Sequence, residues 1–213
     1  MLMLILSAII SYLFAGVNNA IIFSNLIFHK DIRDYGSKNP GFTNFKRVFG
    51  GGIAWLVLFL DLLKVILPVV LFGFAFGNLF GMRQFGAAFS GLFAMLGHAY
   101  PVWYKFKGGK SFIAGVATVW AVDWRIGLIA LIVFMLILFT THYMSSASIC
   151  ETLLYPALLP FFSPESLWCE LFAVLAAVLV VWRHKENIQR LINGTEKKFY
   201  FKSDKKKQDI KES

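Results

Sequence analysis

The sequence predicts an all-α, polytopic membrane protein with about seven transmembrane helices, its N-terminus outside and its C-terminus in the cytoplasm. Three observations predict this. Of 213 residues, 58% are hydrophobic and only 15% are charged, against about 25% charged in an ordinary soluble domain. The apolar residues come in runs close to the ~20 needed to cross hydrocarbon. The cations are one-sided: 18 of the 21 Lys and Arg fall in alternate connecting segments. A soluble core in a chain this short cannot hide so much apolar surface, whereas lipid can serve as its solvent. The length suits one bundle, assigned to residues 1–199, with 200–213 as a charged, flexible cytoplasmic tail.

Met1–Phe28 reads as the first span, interrupted by Asn18 and Asn19. It has no basic leader region and no clear small-residue cleavage site, so it is not expected to be a removable signal segment. A basic, glycine-containing loop follows at His29–Gly52, then a second span at Ile53–Phe76 and a third from Phe85 to about Tyr100. Pro101–Lys110 is basic again. Ser111–Thr141 is long for one crossing and short for two, and Asp123-Trp124-Arg125 near its middle reads as an interfacial turn with Trp124 as anchor. The last spans are expected at Ala147–Phe162 and Glu165–Trp182, separated by Ser163-Pro164. From Thr195 onward the chain is rich in Lys, Glu and Asp and is expected to fray.

The charges decide how often Ser111–Thr141 crosses. If it crosses twice, the cations of 29–52, of 101–110 and of the C-terminal stretch share one face. If it crosses once, the tail lands opposite the two loops. Cytoplasmic loops carry the excess of Lys and Arg, so two crossings are expected. The formal charge of +9 then sits at a membrane boundary. That placement fits anionic headgroups or an anionic substrate and argues against nucleic acid. Cys150 and Cys169 are too few and too far apart for a zinc site or a disulfide framework, and read as buried thiols.

All the unusual polar sequence lies on that cytoplasmic face. The first loop combines Gly36, Ser37, Asn39, Gly41, Thr43, Asn44 and Arg47. Glycine lets backbone amides approach an anion, hydroxyls and amides add donors, and arginine can grip a phosphate with two parallel bonds. A flexible connector held to headgroups fits the same composition. In the second loop, Gly108-Gly109-Lys110-Ser111 opens a helix. It is not a nucleotide P-loop, because position 104 is Tyr where that motif needs Gly. It remains an anion-site candidate, the alternative being an interfacial turn with snorkelling lysines. His184, Asn187 and Arg190 are spaced three apart and share a helix face, as the end of a solvated juxtamembrane helix also does. Ser145 and Ser148 form a smaller patch that helix capping also explains. Asp61 and Lys64, one turn apart within a span, read as a structural pair in preference to a proton relay.

Taken together, these segments resemble the bacterial acyl-phosphate:glycerol-3-phosphate acyltransferases, the PlsY family. A first loop like D-I-R-x-x-G-S-x-N-x-G-x-T-N-x-x-R runs from Asp31 to Arg47, and G-H-x-x-P-V-x-x-x-F-K-G-G-K from Gly97 to Lys110. A patch like Y-x-S-x-A-S begins at Tyr143, and R-H-x-x-N-I-x-R-L-x-x-G-x-E runs from Arg183 to Glu196. The resemblance covers most of the chain. It implies a seven-span inner-membrane enzyme that moves an acyl group from acyl phosphate to the 1-hydroxyl of glycerol 3-phosphate, giving lysophosphatidic acid. It implies no cofactor or metal, and a functional link to the soluble enzyme that makes acyl phosphate. Ser37, Arg47, Lys110, His184 and Asn187 are expected to hold glycerol 3-phosphate. Asn39, Gly41, Thr43, Asn44, Gly108, Gly109 and Ser145 are expected to complete substrate binding, the Gly108-Gly109 turn as part of the acyl phosphate headgroup site.

The sequence departs from the family pattern at Lys38, where Gly is usual, at Phe42, where Ala is usual, and at Ser111–Ala114. His29 and Asp34 have the His-x4-Asp spacing of another glycerolipid acyltransferase family, a single pair that chance readily supplies. A divergent paralogue with another donor or acceptor shares most of these features. A transporter of a phosphorylated anion predicts polar residues deep in paired, repeated spans. Only Asn18, Asn19, Asp61 and Lys64 offer that here.

Overall fold

The structure, a computed structural model, describes residues 1–163 and 167–201. The expected start of the last span at Glu165, its Pro164 separator and most of the 200–213 tail lie outside them. Among the described residues the regular elements are all helical, without strands. In order they form α1 (Leu2–Gly16), α2 (Asn19–Phe28), α3 (Phe42–Phe49), α4 (Gly51–Phe80), α5 (Arg83–Ala99), α6 (Phe112–Val122), α7 (Trp124–Thr141), α8 (Met144–Phe162), α9 (Leu167–Arg183) and α10 (Lys185–Ile192). Among the described residues three stretches are long and apolar enough to cross a bilayer: Leu2–Phe28, Gly51–Phe80 and Trp124–Thr141. The pair α9–α10, bent by 57°, makes a fourth when counted as one span. In lipid a helix satisfies its own amides and carbonyls, which explains why the apolar runs are helical.

The first span is two helices. The chain is extended at Val17 and Asn18, and the Asn18 side chain caps α2 by accepting from the Ile21 amide at 3.0 Å. A break inside an apolar layer frees backbone groups that need partners. Lys64 of α4 donates to the Val17 carbonyl at 2.5 Å, and Asn19 donates to Asp61 at 2.8 Å. Asp61 and Lys64 pair at 2.9 Å, both buried. The pair is therefore structural: it stitches α4 to the break. Asn18 also donates to the Pro40 carbonyl at 3.1 Å and so ties the first loop to this point.

The turn expected at 123–125 is present. Asp123 ends α6 and caps α7, accepting from the Arg125 amide at 2.9 Å and pairing with its guanidinium at 2.6 Å. Trp124 is exposed there. At 11 residues, α6 is about 16 Å long at 1.5 Å per residue.

Helix α5 packs against α1, α4, α6 and α9. Small residues permit these close crossings. A side chain at Gly97 meets the Tyr12 carbonyl, and one at Gly86 meets the Phe72 carbonyl and the Phe76 ring. Large apolar side chains such as Phe59, Leu71, Leu136 and Val178 point outward, as they do when the solvent is lipid. Cys169 is buried as expected, but Cys150 is exposed. Residues 195–201, expected to fray, are laid on the bundle: Phe199 is buried and its amide donates to the His142 carbonyl at 2.7 Å.

Candidate active site

A cavity of about 580 Å³ collects residues from four stretches that are far apart in the chain. The first loop and α3 contribute Ser37, Asn39, Gly41, Thr43, Asn44 and Arg47; the second loop contributes Lys110; α8 contributes Ser145; the α9–α10 bend contributes His184 and Asn187. Every expected site residue lines this cavity except Gly108 and Gly109.

The two glycines lie behind the cavity wall. Their amides already donate to the Ala99 and His98 carbonyls, at 3.2 and 3.0 Å. Their carbonyls accept from Arg183, at 2.9 Å for Gly108 and 3.0 Å for Gly109. A side chain at Gly109 collides with the His98 ring, and one at Gly108 with the His98 carbonyl. The turn is glycine because it packs against α5, and its work is to deliver Lys110 to the cavity. Ser111 follows in the left-handed region, φ 60°, with its hydroxyl donating to the Met95 carbonyl at 2.6 Å.

Asn44 lines the cavity, but its amide is committed to the loop. Its oxygen accepts from the Ser37 amide at 2.8 Å, and its nitrogen donates to the Tyr35 carbonyl at 3.0 Å. Gly36, at φ +62°, lies so close beneath it that a side chain there meets the Asn44 oxygen. Asn44 is thus an organiser of the loop that presents Ser37. Lys38 is at φ 60°, which explains why glycine suits that position in the family pattern. Gly41 is the N-cap of α3 and offers no capping side chain, so the first-turn amides of α3 are left for another partner.

Lys110 donates to the Asn187 oxygen, and the Asn187 nitrogen donates to Glu196 at 2.6 Å. Glu196 also accepts from Ser145 at 2.8 Å and from Arg190 at 2.7 Å. Burial disfavours the ionised form of Glu196, but the bonds from Arg190, Asn187 and Ser145 outweigh it and hold the carboxyl below its ordinary range. Burial lowers Lys110 to about 8, helped by the nearby Arg190. Arg47 is also lowered by burial, and it makes no hydrogen bond or ion pair among the described residues. Glu196 lies near enough to favour its charge but does not bond it, and a half-buried guanidinium with its donors unspent can take an anion. His184 is fixed by its Nδ1, 2.8 Å from the Val180 carbonyl. A carbonyl only accepts, so Nδ1 carries the proton and Nε2 is left as an acceptor.

Glu196 and Arg190 were not among the expected site residues, although both stand in the last of the four motifs. Ser148, Glu151, Asp61 and His98 also line the cavity; the first, third and fourth stand in segments the sequence marked for other reasons, and Glu151 stands in an apolar helix with no motif around it. His29 and Asp34 are exposed and outside the cavity, so their spacing has no counterpart in the site.

The rest of the cavity is apolar. Its walls are Trp55, Leu58 and Leu62 of α4 and Leu131, Phe134 and Leu138 of α7, with α6 behind them. Helix α6 packs on both, whereas α4 and α7 have no substantial packing on each other among the described residues. The result is a slot between α4 and α7, with Trp55 and Leu131 exposed at its edges. A cationic, donor-rich end joined to an apolar slot suits an amphiphile with an anionic head.

Comparison with known proteins agrees with this chemistry. The family described as glycerol-3-phosphate acyltransferase matches residues 5–194. A glycerol-3-phosphate acyltransferase of Mycoplasmopsis synoviae is 36% identical over 208 residues, spanning 91% of this chain and 93% of that one. One from a Thermoanaerobacter strain is 38% identical over 194 residues, spanning 91% and 94%. Among solved structures, PlsY (YgiH), an integral membrane glycerol 3-phosphate acyltransferase, matches in its glycerol 3-phosphate form with a TM-score of 0.84 and 32% identity, covering 92% of this chain and 96% of that chain. Its lysophosphatidic acid form matches with a TM-score of 0.80 and 31% identity, covering 92% and 95%. Four motifs that meet in one cavity, a shared helical fold and matches along most of both chains give one conclusion: this integral membrane protein belongs to the glycerol-3-phosphate acyltransferase family.

Proposed function

We propose that this protein transfers a fatty acyl group from acyl phosphate to the 1-hydroxyl of glycerol 3-phosphate, giving lysophosphatidic acid and phosphate. The observation that carries the reading is the convergence of Arg47, Lys110, Ser37, His184 and Asn187 on the polar end of a cavity whose other end is an apolar slot. Arg47 and Lys110 hold the phosphate of glycerol 3-phosphate, with Ser37 and Asn187 as neutral partners. His184 Nε2 accepts from the glycerol. The headgroup of the donor lies at the uncapped amides of α3, beside Gly41, Thr43 and Asn39, where a helix N-terminus favours an anion. Asn44 and the Gly108-Gly109 turn act from behind, by shaping the loops. Ser145 acts through Glu196. The acyl chain occupies the slot between α4 and α7.

In the reaction the 1-hydroxyl oxygen attacks the acyl carbonyl carbon. The bond from that carbon to the phosphate oxygen breaks, and the ester bond forms. The hydroxyl proton leaves with the departing phosphate, a base the donor itself supplies. An acyl phosphate is already activated, so positioning and charge stabilisation suffice and no covalent enzyme intermediate is needed. The charge asymmetry supports seven crossings, an outside N-terminus and an active face in the cytoplasm of a bacterial cell, where a soluble enzyme supplies the donor.

The test is acyl transfer by the purified protein in detergent, with radiolabelled glycerol 3-phosphate and either palmitoyl phosphate or palmitoyl-CoA. Labelled lysophosphatidic acid is expected from palmitoyl phosphate alone, with its loss in Arg47→Ala and Lys110→Ala. Equal product from palmitoyl-CoA defeats the donor assignment, and near-normal turnover in both variants defeats the site.

A further inference from the structure

We propose that residues 196–201 are an aromatic strap that keeps water from the acyl carbonyl, so that the donor is passed to glycerol 3-phosphate and not hydrolysed; this rests on the acyl phosphate reading above. The strap's anchor, Glu196, closes the last of the four motifs, and its aromatic part, Phe199 to Phe201, lies beyond residue 194, where the family match ends. It is a Phe-Tyr-Phe run in an otherwise lysine-rich region, yet Phe199 is only 6% exposed. Phe199 and Phe201 line the same cavity as the cationic site.

The strap is held by bonds that serve no substrate. The Lys46 ammonium donates to the Tyr200 carbonyl at 2.7 Å and the Phe201 carbonyl at 2.8 Å, and lies 4.5 Å from the centre of the Phe199 ring. The Phe199 amide donates to the His142 carbonyl at the end of α7, at 2.7 Å. Lys46 does not line the cavity.

Ring contacts then cross the gap between α4 and α7. Trp55 of α4 meets Phe42 with centroids 4.9 Å apart, Phe42 meets Phe199 at 6.2 Å, Phe199 meets Phe201 at 5.4 Å, and Phe201 meets Phe139 of α7 at 5.7 Å. Phe42, which replaces the usual Ala, is the link between α4 and the strap. Two helices without substantial packing on each other among the described residues are joined by an apolar bridge, anchored at Glu196 to the cationic end.

The chemistry makes such a bridge useful. Water attacking the donor breaks the same carbon–oxygen bond as glycerol 3-phosphate does, and gives fatty acid and phosphate. Water is far more concentrated than the acceptor, so the ratio of the two products depends on its exclusion.

The experiment supplies palmitoyl phosphate labelled in its acyl chain with saturating glycerol 3-phosphate, and counts lysophosphatidic acid and free palmitate. Phe199→Ala and Lys46→Met are compared with the parent, with enzyme-free hydrolysis subtracted. The palmitate share is expected to rise at least threefold in both, with KM for glycerol 3-phosphate within twofold of the parent. Phe199→Leu, which retains an apolar plug, is expected to keep the parent's ratio. An unchanged ratio in Phe199→Ala and Lys46→Met, whether or not total turnover falls, overturns the strap's role. If the parent gives no lysophosphatidic acid from palmitoyl phosphate, the donor reading falls, and the strap's role with it.

Discussion

Asn187→Asp is the most informative single substitution, because it keeps the shape of the side chain and inverts one hydrogen bond. The Asn187 nitrogen donates to Glu196 at 2.6 Å, while its oxygen accepts from Lys110. In the variant two carboxylates face each other with charge centres about 4 Å apart, a repulsion of about 4 kcal/mol at an effective dielectric near 20. Lys110 on the new carboxylate and Arg190 on Glu196 offset part of this, and the remainder makes the pair hold one proton to a higher pH than an isolated carboxyl does. The shared proton restores an O–H···O bond in place of N–H···O. The sign follows: the working geometry is present on the acid side and is lost as pH rises through the raised ionisation of the pair. Converted at 1.36 kcal/mol per tenfold, the bare repulsion sets an upper bound of about 10³ on the loss in kcat/KM for glycerol 3-phosphate above that ionisation, and the two neighbouring cations bring it down. The parent behaves differently: its kcat/KM holds until Lys110 loses its proton, and falls through about 8. The assay is kcat/KM in detergent from pH 5.5 to 8.5, with Asn187→Ala as the uncharged control. Acid-side recovery of tenfold or more is expected in Asn187→Asp and absent in Asn187→Ala. Parallel profiles for the parent and Asn187→Asp would refute the assignment of Asn187 as the bridge between Lys110 and Glu196.

Two further substitutions probe the scaffold. Gly109→Ala drives a methyl group into the His98 ring, an overpacking cost of about 1–3 kcal/mol; a lower melting temperature and at least tenfold lower activity are expected, and an unchanged melt would show that the turn can shift freely. Asp61→Asn removes the counter-charge of the buried Lys64 and weakens the tie to the break in the first span; a loss of about 3 kcal/mol is expected, read as a fall in thermal stability, and a stability equal to the parent's would show that Asp61 is not needed to hold the break.

Much of the helical architecture was legible because it rests on local composition. Apolar runs mark α4 and α5 within a few residues, and the Asp123 break was visible as the one charged interruption in a long run. The break at Asn18 was visible only as two amides, since its cause, Lys64 reaching the Val17 carbonyl, lies 47 residues away. The site was legible as residue types: glycine, hydroxyl and cation in four blocks. Their division of labour was not. Asn44 and Arg47 stand three apart in one motif, yet Asn44 is spent on the Tyr35 carbonyl and the Ser37 amide while the Arg47 guanidinium makes no hydrogen bond among the described residues.

Hydropathy, charge and motif spacing are properties of neighbours along the chain, and they were enough to read an integral membrane protein, its family and the blocks from which the site is made. Which polar atoms remain available depends on how the helices and loops pack. The amides of Gly108 and Gly109 are taken by α5 carbonyls, Glu196 becomes the hub for Ser145, Asn187 and Arg190, and residues 196–201 close over the slot. A donor or acceptor is available to a substrate only when no other group has claimed it, and the claimants here come from segments tens of residues away.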